Sequence, residues 1–241
     1  MKLSVIIISF NVKSYLRQCL NSVLASIQID EFEVIVIDNH SFDDSCILLK
    51  NKFPEIKLIE NHKNVGFAVA VNQGIEVAKG EYICFLNPDT LIQEDTFFKL
   101  ISHLKGNLQV GCIGPKILNP DGSLQKSCKR SFPTPLVAFP KVLGLSRLFP
   151  NSKWFGKYNL TYLDENKSHF VDAISGSFML FPKDVIRVVG PLDETFFMFG
   201  EDLDYAFRVQ QAGYKVLYHS ETEVIHYKGE SVKSVPQDMI T

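Results

Sequence analysis

Two stretches of the chain put carboxylates where chemistry could use them: FLNPDT at 85–90 and FGEDLDYAFR at 199–208. The first ends an apolar run in Asn87, Pro88 and Asp89. A departing nucleoside diphosphate needs a divalent cation to neutralise its developing charge, and hard cations take carboxylate oxygens. Pro88 restricts the backbone beside Asp89, so an acid at that strand end would be held rigidly. Taken alone, the same residues make a turn or a helix cap before Gln93. The second stretch lies in GPLDETFFMFGEDLDYAFRVQQAGY, where Asp193, Glu194, Glu201 and Asp202 bracket four consecutive apolar residues, Phe196 to Phe199. A carboxylate among aromatics near a substrate is how a general base is made, although acids in a helix's first turn also simply favour its macrodipole. Asp204 follows, and Arg208 could pair with these acids or with phosphate. His226, after the last apolar strand, is a core histidine unless that strand reaches the same rim, where it becomes a metal ligand.

Three quieter positions join them. Asp38 ends the run EVIVID and is either a turn residue with Asn39 or an acceptor for a base or ribose. Asn64 and Gly66, in NVGFAVAVNQG, open a helix whose free N–H groups suit a nucleotide or its phosphates, or are an ordinary helix start.

The elements that must position these residues follow a regular alternation. Apolar runs at 3–8, 33–37, 56–59 and 82–86 read as strands. Between them, Lys13 to Ile27 carries Leu16, Leu20, Val23, Leu24 and Ile27 on one helical face, and a short helix capped by Asp43 or Asp44 carries Ile47 and Leu48. Val65 to Ala78 repeats the helical pattern with Gly80 closing it, and Phe97, Leu100, Ile101 and Leu104 mark the helix after the fourth strand. Fully apolar strands separated by amphipathic helices imply a parallel sheet covered on both faces, with ligands beyond the strands' carboxyl ends. Those ends read Ser9-Phe10-Asn11, Asp38-Asn39, Glu60-Asn61 and Asn87-Pro88-Asp89, so four strands deliver polar groups to one rim. Past about residue 106 the periodicity weakens. Strands are expected near 171–173, 177–181, 215–218 and 223–225, with a helix from Glu201 to about Ala212 turning Leu203, Ala206 and Phe207 inward.

Composition removes other classes. The 241 residues are 46% hydrophobic and carry a formal net charge of -2, which gives no nucleic-acid signal. Five scattered cysteines without a CxxC argue against zinc and a disulfide framework and fit a reducing cytosol. The opening MKLSVIIISFN reads as a buried strand rather than a targeting segment, and no run approaches the roughly 18 apolar residues of a membrane span. The turn after the first strand, SFNVKSYL, has no glycine, and GxxxxGK[ST] is absent. Dinucleotide-dependent and P-loop enzymes are disfavoured accordingly.

The succession SVIIISFN, VIVIDNHSFDDS, NVGFAVAVNQGI, GEYICFLNPDT, GPLDETFFMFGEDLDYAFR and VIH resembles the family 2 glycosyltransferases of the GT-A fold, and within them the rhamnosyltransferase-type branch that builds bacterial surface polysaccharides. The resemblance covers nearly the whole chain. It implies an α/β fold with a mostly parallel central sheet and one domain over 1–241, with a nucleotide-binding half to about 106 and an acceptor-binding, catalytic half after it. It further implies that Ser9, Asn11 and Asp38 line the nucleoside pocket, supported by Asn64, Gly66 and Asn72. Asn87-Pro88-Asp89 would stand at the family's Asp-x-Asp, with Asp89 and His226 on Mg2+ or Mn2+ and Asp202 as the catalytic base. Asn87 departs from the strict motif and brings no anionic ligand. The implied reaction is inverting transfer from a nucleoside-diphosphate sugar, dTDP-rhamnose or a UDP-sugar, to a glycan or lipid-linked acceptor.

Residues 126–158 interleave Lys126, Lys129, Arg130, Lys141, Arg147, Lys153 and Lys157 with aromatics and Trp154. That mixture suits an anionic membrane surface or a lipid-diphosphate acceptor, or else an acceptor-side loop folded onto the domain. A cytoplasmic protein, peripheral on the inner membrane face, is the resulting expectation. Two rivals remain. A sugar-nucleotide pyrophosphorylase would want a Gly-rich basic loop after the first strand, and a non-catalytic nucleotide- or carbohydrate-binding module would not need the acids around Asp202.

Overall fold

The computed structural model describes residues 2–26 and 31–229; Ile27 lies outside the described residues. In chain order the elements are β1 (Lys2–Ser9), α1 (Lys13–Leu24), β2 (Glu31–Asp38), α2 (Ser45–Lys52), β3 (Lys57–Glu60), α3 (Phe67–Val77) and β4 (Tyr82–Leu86). They continue with β5 (Thr90–Ile92), α4 (Thr96–Gly106), β6 (Val110–Leu118), β7 (Lys129–Arg130), α5 (Pro135–Val142) and α6 (Leu145–Leu148). The last are β8 (His169–Val171), β9 (Ala173–Ile174), β10 (Phe178–Pro182), α7 (Lys183–Val189), α8 (Glu201–Gln211) and β11 (Lys215–His226).

The main sheet runs β3-β2-β1-β4-β10-β6-β11-β5, with β8 added on β11. The β3-β2-β1-β4 part is parallel, as its apolar strands require: Val5, Ile6 and Ile7 are buried whichever face they point to. Each such side chain contributes about 1.5–3 kcal/mol by leaving water. Beyond β4 the sheet becomes mixed, because β10 enters antiparallel to both β4 and β6. Helix α3 lies so close on this sheet that a Cβ on Gly74 would meet Ile6 Cγ2 at 2.5 Å. That contact fixes the height of the α3 N-terminus above the strand ends.

Several local expectations are corrected. Gly80 is not a helix cap; a Cβ there would meet the Ser4 backbone nitrogen at 2.5 Å, so glycine lets the chain pass β1. Leu49 is the buried apolar residue of α2 and Leu48 is half-buried against the core as expected, but Ile47 is exposed. On α8 Tyr205, Ala206 and Val209 are buried and Leu203 is half-buried against the core as expected, while Phe207 is exposed and packs edge-on against Phe132. The two strands expected near the C-terminus are one, β11, whose pairing with β6 shifts register between His219 and Glu223. All five cysteines are free.

Candidate active site

The parallel registers set the rim. Ser9 pairs with Asp38 and Asp38 with Glu60, so these strand ends lie level. Above β1 and β4 opens a cleft of ≈ 460 Å3 lined by Asn39, Asn64, Asn87, Asp89, Arg130, Asp202 and His226, among others.

One corner is built by a strand pairing. β5 runs antiparallel to β11 with Thr90 opposite His226, and the Tyr227 N–H donates to the Asp89 carbonyl at 2.9 Å. This brings Asp89 Oδ1 to 3.2 Å from His226 Nε2, with both side chains buried. The other ring nitrogen, Nδ1, lies 2.9 Å from Gln125 Oε1. Asn87 Nδ2 faces Nε2 at 3.5 Å. A ring that gives its Nδ1 proton to Gln125 turns its Nε2 lone pair towards a carboxylate oxygen. Two acceptors at that distance repel unless a cation or proton lies between them, and a carboxylate with an imidazole is a donor set that divalent Mn2+ accepts. Among the described residues no third His, Cys, Asp or Glu joins this pair to make a cluster. The residues present therefore fit a cation that takes its remaining ligands from a diphosphate and water, and not a closed protein cage.

A second group is built by α8. Phe199 and Gly200 both have positive φ, +68° and +97°, and this sharp entry sets Glu201 and Asp202 at the first turn facing the cleft. The strain sits at Phe199, a non-glycine residue in the left-handed region. Asp202 Oδ2 accepts from the Gly176 N–H at 3.0 Å and forms a short ion pair with Arg130, whose Nη2 also donates to the Ile174 carbonyl at 2.8 Å. A Cβ on Gly176 would come to 3.2 Å from Asp202, so glycine permits that approach. Glu201 is buried, and its Oε2 has no hydrogen-bond partner among the described residues. Burial, reinforced by the Asp202 charge next to it, pushes its carboxyl up to about 7.

The other expected residues are placed as follows. Asn64 lines the cleft and its Oδ1 accepts from the Gly66 N–H. Gly66, at φ +85°, lets the Phe197 carbonyl come close; that carbonyl accepts from the Phe67 N–H at 2.7 Å. Ser9 and Asp38 are buried at the rim, but they do not line the cleft. Asp38 takes both polar hydrogens of Ser41, and Asn11 Oδ1 accepts from the Phe42 N–H, so both shape the 39–44 loop. Asn39, the neighbour of Asp38, is the one that reaches the cleft. Asn72 is spent on the segment before α8, exchanging hydrogen bonds with the Leu192 backbone and donating to Glu194. Arg208 is likewise committed elsewhere, to Asp204 and the Pro191 carbonyl. Arg130 and Gln125 line the cleft without having been singled out for it, and Glu201 was named only as one of four acids. Only the adjacency of Glu201 to Asp202 was a signal, since Arg130 read as one of many basic residues and Gln125 had no motif around it.

Comparisons with known proteins identify the family and the fold. The N-acetylglucosaminyl-diphospho-decaprenol L-rhamnosyltransferase of Mycobacterium tuberculosis is 28% identical over 214 residues, 84% of this chain and 69% of that protein. Among solved structures, S. aureus TarS 1-349 in complex with UDP superposes with a TM-score of 0.66 at 16% identity, over 93% of this chain and 60% of that one. The mannosyltransferase PcManGT from Pyrobaculum calidifontis, in complex with GDP-Man and Mn2+, gives 0.65 at 17%, over 98% of this chain and 57% of that one. This chain thus spans about three fifths of those two structures, whose likeness establishes the GT-A fold. The description "Glycosyl transferase family 2" matches residues 4–189, and the chain belongs to that family.

Proposed function

We propose that the chain transfers a sugar, with inversion, from a nucleoside-diphosphate donor to a hydroxyl of a lipid-linked glycan. The observation that carries this reading is one cleft holding both the Asp89–His226 corner and the Arg130–Asp202 pair. The single sheet running through both halves supports treating 1–241 as one domain. Asn39, Asn64 and the start of α3 line the donor side, with Ser9, Asn11 and Asp38 supporting them from the rim. Asp89 and His226 would hold Mg2+ or Mn2+, which when bound neutralises the leaving diphosphate.

Asp202 acts as the base. Arg130 and Gly176 occupy Oδ2 and fix the carboxylate, which leaves Oδ1 to take the acceptor's proton. As that O–H bond breaks, the acceptor oxygen bonds to the anomeric carbon and the bond from that carbon to the diphosphate oxygen opens. Donor candidates are dTDP-rhamnose and UDP-sugars, on the strength of the rhamnosyltransferase relative and the UDP complex. A nucleotide-release screen of these donors against a lipid-diphosphate-linked sugar tests the reading. Release that requires acceptor and disappears in Asp202→Asn supports it; release unaffected by that substitution rejects it.

The acceptor's lipid gives the basic, aromatic segment a role. Helix α5 exposes Leu136, Phe139 and Val142, and Leu148, Phe149 and Trp154 after it are exposed as well. No Asp or Glu occurs between Asp121 and Asp164, while Lys141, Arg147, Lys153 and Lys157 do. Apolar side chains ringed by cations alone match an anionic bilayer surface, where each basic residue contributes about 1 kcal/mol. No helix among the described residues is long and apolar enough to cross a membrane, so this face would lie on the bilayer.

A further inference from the structure

The geometry points to Gln125 as a positioning residue that fixes the His226 tautomer and so presents the Nε2 lone pair beside Asp89. This inference rests on the reading of Asp89 and His226 as cation ligands.

A glutamine amide can offer histidine either its oxygen or its NH2, and the two choices select opposite tautomers. Here the choice is made outside the site. Gln125 Nε2 donates to Asn119 Oδ1 at 3.2 Å, so Oε1 must be the atom facing His226 Nδ1. Asn119 is itself oriented, because its Nδ2 donates to Ser123 Oγ at 2.9 Å. Ser123 Oγ can only accept there, since its proton goes to Asp121 Oδ1 at 2.6 Å. Asp121 is a carboxylate and accepts only, so it sets the polarity of the whole chain. Four side chains of one loop, 119–125, therefore carry a direction from a surface carboxylate to a buried imidazole. The loop is held in this shape by its own backbone, with Asn119 N–H to the Ser123 carbonyl at 2.8 Å and Gln125 N–H to the Ile117 carbonyl at 2.8 Å.

At the far end the Asn87 amide faces the same lone pair from the site side. An aspartate at 87 would set a second acceptor against Nε2, whereas the asparagine NH2 can only donate to that lone pair, which agrees with a proton on Nδ1. Partners in the outer shell of a metal-bound histidine commonly alter metal affinity by roughly 10- to 100-fold, and Gln125 is placed to do so through orientation alone.

The test uses 15N-histidine-labelled, metal-free protein at alkaline pH, where an imidazole ring carries a single proton, and reads ring tautomers by NMR, alongside Mn2+ affinity in the presence of UDP by calorimetry. The expected result is His226 as the Nδ1–H tautomer. Gln125→Met should introduce the Nε2–H form and weaken Mn2+ binding by roughly 10-fold or more, while Gln125→Glu, which keeps an acceptor in place, should retain both properties. Asn119→Leu, at a half-buried position, releases the glutamine amide to flip and should produce the tautomer change without touching the buried residue. An Nε2–H ring in the unmodified protein, or an unchanged tautomer in both Gln125→Met and Asn119→Leu, overturns the inference. Failure of the cation reading looks different: His226→Ala would leave Mn2+ affinity unchanged while the tautomer results still held.

Discussion

Replacing Glu201 by glutamine should make the protein more stable at pH 8 and change little at pH 4. The reason is a carboxyl buried beside Asp202 with an oxygen that finds no partner among the described residues, which holds it at about 7 against an ordinary 4.5. Because this value is raised on folding, the folded chain keeps a proton that the unfolded chain has released between pH 4.5 and 7. Stability from this group is fully present below 4.5, falls as pH rises through that window, and is gone above about 7. At 1.36 kcal/mol per pH unit, the interval from 4.5 to about 7 corresponds to about 3 kcal/mol. For a chain this size that is roughly 6–12 °C in melting temperature. Glutamine has the same shape and no charge to bury, so it escapes the loss. Thermal unfolding of metal-free protein and Glu201→Gln at a series of pH values gives the answer. Two curves that stay parallel from pH 4 to 8 would refute the reasoning, because the buried carboxyl would then not be titrating in the stated window.

Four other outcomes are expected. Asp202→Asn should lower transfer by roughly 10^2- to 10^4-fold with nucleotide binding retained, and near-normal turnover in a coupled assay would remove Asp202 from its role. Asp89→Ala should abolish the Mn2+ dependence of UDP binding measured by calorimetry; a dependence that survives would move the cation elsewhere. Gly66→Ala should destabilise by about 1–3 kcal/mol, since its φ of +85° and the Phe197 carbonyl 2.7 Å from the added Cβ both oppose it; denaturant unfolding at equal cost to a surface substitution would contradict this. The protein should float with anionic but not zwitterionic liposomes, and Phe139→Asp with Trp154→Asp should abolish flotation; failure of the unmodified protein to float removes the bilayer reading.

The parallel part of the sheet was legible because strands buried on both faces must be apolar throughout, and Ile6 or Val36 could be read straight off the pattern. Asp89, Asp202 and His226 could be marked as candidates because each sits where an apolar run or a helix starts or stops, and the structure brings all three to one cleft. β6 and β5 were not, since VGCIGPKIL carries glycines and a proline inside a central strand and TLI is too short for a period. The inward face of α8 was misread because Phe207 is hydrophobic but covers only Phe132, whereas Tyr205 reaches the core and gives its hydroxyl proton to the Gly190 carbonyl. Asp38 and Asn72 show a different limit. Both were expected at or beside the nucleoside pocket, yet hydrogen bonds to Ser41 and to the Leu192 backbone occupy them. Sequence marks where a polar group sits, and only packing decides whether it faces the ligand or braces the wall.

The β5–β11 pairing has a consequence in time. Asp89 leaves the ribosome early, with the parallel strands around it already able to associate, but its partner His226 is among the last residues of the sheet to be made. Closing a contact over that length of chain is slow, and it waits for β10 and β6 to take their places between the two halves. A nascent or C-terminally clipped chain would therefore hold the start of α3 and the donor rim before it held the cation corner. On the proposed reading, holding a donor and opening the bond between its sugar and its diphosphate would become possible at different moments in the life of the chain.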